Sequence, residues 1–392
     1  MNKKILIIVI LALCLPLFSQ EISQEVTVIN IEVTVRVFKG SKFIDNLTRK
    51  DFEVYEDGKL QKIEAVYLIK KTNIEREETK IKKEEAKKIF APEVSRNFIL
   101  LFEIREYLPK IRNVINYFFE NVFMPGDTLM VVTPSKSYKF NNKALEIFPQ
   151  KEIAKTLNEK LREDVKKVNA AYRSLLRDLK NIRTGEGYDP DLKRMMYLDS
   201  LRRFKNLRYV DQKKLLDFAD LLKDREGQKY VFLFYQKELF PIMERSPDEK
   251  TLESLEALED SEMNISLDIE KVKQAFSDSS ISIHFLYITK TPRDRLDVED
   301  MRSGDARAVR WKDSSGDIFE AFKEMAEATG GLTDSSANIA SSFEMAVDAS
   351  ENYYLIYYAP EGYKKDGKYR EIKVKLKNKN YRITHRAGYF AN

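Results

Sequence analysis

The sequence is poorest in the residues that carry most enzyme chemistry. Among 392 residues there is one cysteine, Cys14, and there are two histidines, His284 and His385. A single cysteine forms no intramolecular disulfide, and this set is too small for a zinc site built mainly from His and Cys. Serine- and cysteine-nucleophile centres lack parts for the same reason, and no Gly-x-Ser-x-Gly motif occurs. Phosphate-cradling loops are missing as well, because Thr329-Gly330-Gly331 has no Lys-Ser/Thr after it. Charge of one sign is also scarce. Lys+Arg number 68 against 63 Asp+Glu, a net +5, which excludes a strongly basic nucleic-acid binder. The apolar share of 43% in turn excludes wholesale disorder.

Ile5 to Leu15 is an unbroken apolar run, about half of the ~20 residues needed to cross a bilayer. Lys3 and Lys4 precede it, and Pro16 with Leu17-Phe18-Ser19-Gln20 closes it, which is the layout of a secretory signal over residues 1–20. Cleavage after Ser19 or Gln20 would remove Cys14 and two lysines. Lys+Arg then falls to 66 against 63, a net +3, and no cysteine remains. The expected protein is exported, periplasmic or at the cell surface, with no membrane insertion after cleavage.

Beyond the signal, residues 21–70 read as a β unit. Thr27, Ile29, Ile31, Val33, Val35 and Val37 alternate with a more polar set, and Asp57-Gly58 marks a hairpin turn. Residues 71–96, crowded with Lys and Glu of mixed sign, read as a charged linker. From residue 97 to 360 the pattern is one of alternating strands and helices, opened by Phe98-Ile99-Leu100-Leu101-Phe102, a run of the kind buried on both faces in a parallel sheet. Later apolar runs at 230–235, 281–288 and 353–358 are expected as further core strands of the same sheet. Within this stretch, residues 150–225 read as a helical-hairpin insertion. An apolar stripe from Ile153 to Ile182 repeats every ~3.6 residues before Gly185, Gly187 and Pro190 break it. Residues 361–392 return to alternation and are expected to pack with the N-terminal β unit.

Several blocks resemble secreted bacterial proteins with a von Willebrand factor A-type module. They are Leu47-Thr48-Arg49-Lys50-Asp51-Phe52-Glu53-Val54-Tyr55-Glu56-Asp57-Gly58, Met325-Ala326-Glu327-Ala328-Thr329-Gly330-Gly331, Tyr353-Tyr354-Leu355-Ile356-Tyr357-Tyr358, and Arg386-Ala387-Gly388-Tyr389. The resemblance implies an α/β fold with an open, mostly parallel sheet and helices on both faces, beside a small β domain made from both termini. It also implies an adhesion site at the end of the first sheet strand, where Asp-x-Ser-x-Ser oxygens hold magnesium. Here that stretch reads Glu103-Ile104-Arg105-Glu106-Tyr107, so a cation and a bulky phenol stand where hydroxyls should ligate. The site is degenerate and no metal or other cofactor is expected.

The expected function is therefore non-enzymatic binding of another protein through Glu103, Arg105, Glu106 and Tyr107 with Gln236 and Glu238 from a neighbouring strand end. Nucleic acid is not an expected partner. The alternatives are a structural envelope component without a specific ligand, or a hydrolase using Glu103 or Glu106 as general base.

Overall fold

The alternation at the N-terminus becomes, in the computed structural model, strand β1 (Ile31–Lys39), with Val33, Val35 and Val37 fully buried. The structure describes residues 29–79, 90–140, 147–184, 189–207, 212–243, 267–277, 281–288, 309–313 and 316–391, short of a few single positions and pairs inside those spans. The expected signal, residues 1–20 with Cys14, lies outside them, as does Glu238.

After β1 come β2 (Lys42–Phe43), β3 (Phe52–Glu56), β4 (Lys59–Gln61), β5 (Ile63–Lys70) and β6 (Asn73–Thr79). The turn between β3 and β4 holds Asp57 at φ 48° and Gly58 at φ 79°, the left-handed pair that a two-residue hairpin requires. Next are β7 (Arg96–Glu103), α1 (Pro109–Tyr117, running into a π turn over Phe118–Val122), β8 (Thr128–Val132) and β9 (Ser137–Phe140). Helices α2 (Gln150–Thr184), α3 (Pro190–Asn206) and α4 (Gln212–Lys223) lead to β10 (Gln228–Gln236) and β11 (Leu239–Met243). The chain continues through α5 (Ile269–Ser277), β12 (Ile281–Ile288), β13 (Val309–Asp313), α6 (Gly316–Ala328), β14 (Thr333–Asp334) and α7 (Ile339–Glu351). It closes with β15 (Asn352–Tyr358), β16 (Tyr369–Leu376), β17 (Arg382–His385) and β18 (Gly388–Phe390).

The open, mostly parallel sheet expected from the resemblance is not the architecture found. Ten of the fourteen ladders among the described residues are antiparallel. One sheet runs β17-β1-β15-β5-β6 with β2 beside β1, another runs β18-β16-β3-β4, and both are wholly antiparallel. They curl as a half-barrel around a shared core that includes Val33, Val35, Val54, Tyr354, Ile356, Ile372 and Val374. Parallel pairing is confined to β14-β12-β10-β7-β8, and β9 adds an antiparallel edge there.

The strand that most changes the picture is β15. Its apolar run was expected in the parallel sheet, yet it lies between β1 and β5 in the half-barrel, antiparallel to both. The run records burial on both faces, and a central antiparallel strand covered on both sides satisfies that signal as well as a parallel one. Two smaller expectations also need correcting. Residues 73–79, read as part of a linker, form β6 and pair with β5, their charged side chains suiting an exposed sheet edge. The hairpin expected over residues 150–225 is shorter, because Leu215, Ala219 and Leu222 of α4 pack into the sheet core.

Helix α2 is the element that organises the rest. Its 35 residues span about 52 Å at 1.5 Å per residue. Ile153, Leu157, Leu161 and Val165 pack beneath β7, β8 and α1 in the main core. Tyr172, Leu175, Leu179 and Ile182 belong to a different cluster, shared only with Tyr197, Leu201, Phe204 and neighbours from α3. Helix α3 starts cleanly, with Pro190 in its first turn and the Asp189 carboxylate accepting from the amides of Asp191 and Leu192.

Candidate functional site

The residues singled out by sequence lie around the C-terminal ends of β7 and β10, which pair in parallel with Tyr235 opposite Glu103. Gln236, buried at the end of β10, does not face a ligand. Its Oε1 accepts from the backbone amides of Arg105 and Glu106, both at 2.9 Å, and its Nε2 donates to the Glu106 carbonyl at 2.9 Å. Two amides that could have formed an anion hole are thereby satisfied within the protein. The carbonyl of Arg105 accepts from Asn169 Nδ2 of α2 at 2.5 Å, and its guanidinium lies 4.7 Å from the centre of the Tyr172 ring. The strand-end loop is thus fastened to the point where α2 leaves the main core.

Of the five predicted residues that are described, Tyr107 alone lines the groove of about 480 Å³ that runs between α1 and the N-terminal half of α2. At its floor Tyr107 Oη donates to Asn158 Oδ1 at 2.6 Å, and Asn158 Nδ2 donates to Asn116 Oδ1 at 3.2 Å and to the Ala154 carbonyl at 2.8 Å. Burial pushes the Tyr107 phenol above its ordinary pKa, while Arg112 and Arg162 nearby pull it back. Arg112, Lys151, Lys155 and Arg162 stand on the walls with Glu120 and Glu159. Neither Glu103 nor Glu106 lines the groove.

Among the described residues, no group of three or more His, Cys, Asp or Glu side chains is placed to hold a metal ion. The closest approach to a nucleophile dyad is buried. Ser350 Oγ lies 2.9 Å from His284 Nε2, and both residues are at most 1% exposed. The Leu332 amide donates to His284 Nδ1 at 3.3 Å, so the imidazole proton sits on Nε2 and points at Ser350. Ser350 in turn donates to the Ala346 carbonyl at 2.7 Å. The histidine is a donor there and cannot act as base toward the serine. Burial, with Arg36 nearby, holds its pKa well below the ordinary imidazole value.

Thr329-Gly330-Gly331 also proves structural. Thr329 Oγ1 accepts from the Ile283 amide at 3.0 Å, and a Cβ on Gly331 would meet the Ile283 carbonyl oxygen at 1.8 Å. Only glycine permits that approach.

Sequence reasoning missed the contributions of Arg112, Asn158, Arg162 and Asn169. Asn158 carried a signal, since it follows Leu157 on the buried side of an otherwise apolar stripe. A polar residue there needs a partner, and Tyr107 supplies it. No helix among the described residues is long and apolar enough to cross a membrane. No family model, no curated protein and no solved structure matches the chain.

Proposed function

We propose that this is an exported, non-enzymatic module that binds another protein without a metal ion, and that the α2–α3 hairpin with the loop at its base is the capture surface. The observation that carries this reading is the second core. The distal half of α2 and the buried apolar residues of α3 pack on one another in a cluster to which no sheet strand contributes. An element whose core is its own is free to serve recognition. Its outer surface offers Leu192, Met195 and Met196 at helical spacing, with Met195 64% exposed, an adaptable apolar stripe of the kind used in partner contacts. The order of the sequence motifs and the leader-like N-terminus support the same class of function.

The test is a truncation cut where the structure closes it. The rings of Tyr172 and Phe204 lie 5.3 Å apart, so replacing residues 174–202 by a short Gly-Ser link joins neighbouring points. Cross-linking and affinity capture from the native envelope should retrieve a partner with the full chain and none with the truncated one. A partner retained at full strength by the truncated chain would contradict the assignment.

A further inference from the structure

The groove between α1 and α2 has features that the hairpin reading does not use. Its floor is a closed chain of neutral polar groups, from Tyr107 through Asn158 to Asn116. Its walls carry four cations and two carboxylates, a local net charge of +2. Among the described residues none of the four cations is held in an ion pair, whereas Lys160 on the same helix bonds Glu163 at 3.0 Å. Arg112 and Arg162 stand near Tyr107, and the lining continues along α2 to Lys155 and Lys151. An elongated anion could therefore meet charge along the whole groove.

Exposed apolar residues lie close in sequence to two residues of the lining. Gln150 Nε2 donates to the Phe123 carbonyl at 3.3 Å, which sets the start of α2 against the end of the π turn. Within four residues of Glu120 or Lys151 in the sequence, Met124, Ile147 and Phe148 are exposed, the last two by 71% and 54%. Side chains so large and so open, within four residues of the lining of a cationic groove, match a ligand that is acidic along its length and apolar at one end. A lone small anion would leave them unused.

We infer that this groove binds an extended acidic peptide segment of the partner protein, its carboxylates on Arg112, Lys155, Arg162 and Lys151 and an apolar residue on Met124, Ile147 and Phe148. The inference rests on the protein-binding reading and adds the chemistry of the bound segment. Glu120 and Glu159 space the cations and disfavour uninterrupted negative charge at the positions opposite them.

The experiment measures fluorescence anisotropy of labelled peptides with the full-length chain. One peptide carries six glutamates and a terminal phenylalanine, a second carries glutamines in their place, and a third carries lysines. The glutamate peptide should bind at least tenfold tighter than the glutamine one at 50 mM NaCl, with the gap falling below threefold at 500 mM. The exposed double substitution Arg112→Glu/Lys155→Glu should leave melting unchanged, abolish that preference and create binding of the lysine peptide. Phe148→Ser should weaken only peptides that end in phenylalanine, by about threefold. Equal binding of the glutamate and glutamine peptides would overturn the inference. So would indifference to charge reversal, or a preference of the same residues for phosphatidylglycerol vesicles over the peptide. The two readings fail separately. Glutamate-peptide binding by the chain lacking residues 174–202 would isolate the groove, and lost partner capture with no peptide preference would leave the hairpin alone standing.

Discussion

The half-barrel and the hairpin both adjoin the parallel ladders, but they are attached by opposite means. The half-barrel is joined across a seam of buried polar groups. Arg36 of β1, 1% exposed, reaches out of its sheet and donates to the Ala349 carbonyl at 2.6 Å, the Gly330 carbonyl at 3.1 Å and Ser282 Oγ at 3.0 Å. Along the same face Gln228 accepts from Thr34 and donates to Glu32 at 2.8 Å. Arg96 grips both Asp127 oxygens and also Glu351, the last residue before β15. Among the described residues the hairpin shows no such seam. Among those residues it joins the main core through the backbone of α2, supplemented by the contacts of Asn169 and Tyr172 with Arg105 and by the approach of α2 to β11. A seam of buried hydrogen bonds makes two layers fold as one, whereas a single helix carrying two cores lets the distal one open alone.

The sharpest way to break this contrast is to cut the seam. Arg36→Ala leaves two carbonyls and a hydroxyl buried without their donor, and Arg96→Ala leaves Asp127 buried without its cation. Each should cost about 3–5 kcal/mol of global stability in urea unfolding, with half-barrel and parallel strands still lost in one transition. Two separate transitions would show that the layers are independent. In the hairpin, Leu179→Ala should cost about 2–4 kcal/mol, but only locally. Amide exchange should quicken in α3 and the distal half of α2 while the urea midpoint of the sheets holds.

A third effect is smaller and depends on pH. His284 and His385 both have pKa values lowered by burial, so below their ordinary value the unfolded chain takes up protons that the folded one refuses. Stability must therefore fall as pH drops through about 6.5, by up to ~1.4 kcal/mol per pH unit for each histidine. The raised pKa values of Glu32, Asp127 and Glu351, all dominated by burial, act in the opposite sense. The histidine contribution is read by comparing wild type with His284→Gln in urea at pH 7.5 and 5.5. The variant should lose less on acidification, and an equal loss would rule out a neutral buried His284. Smallest of all, Tyr107→Phe removes one hydrogen bond from the groove floor and should cost about 1 kcal/mol.

Short-range pattern carried well from sequence to structure where one face alone is buried. The Asp57-Gly58 turn, the alternation of Ile372 and Val374 in β16 and the stripe of α2 are of this kind. It failed where both faces are covered, because β15 shows only that it is central and not which sheet it centres. Periodicity could not divide α2 either, since Leu161 and Leu179 repeat identically and differ only in what lies opposite. Around the site, Gln236 looked like a surface ligand because its partners are backbone amides of a loop 130 residues away. The groove escaped notice because Arg112 and Arg162 come together only when α1 and α2 pack.

The most direct measurement is amide hydrogen exchange along α2 in the intact chain. Peptides covering 150–165 should exchange with β10, at the rate of global unfolding. Those covering 172–182 should exchange faster and together with 193–206. Uniform protection of α2 at the level of the sheets would contradict the second, separable core on which the capture surface is built.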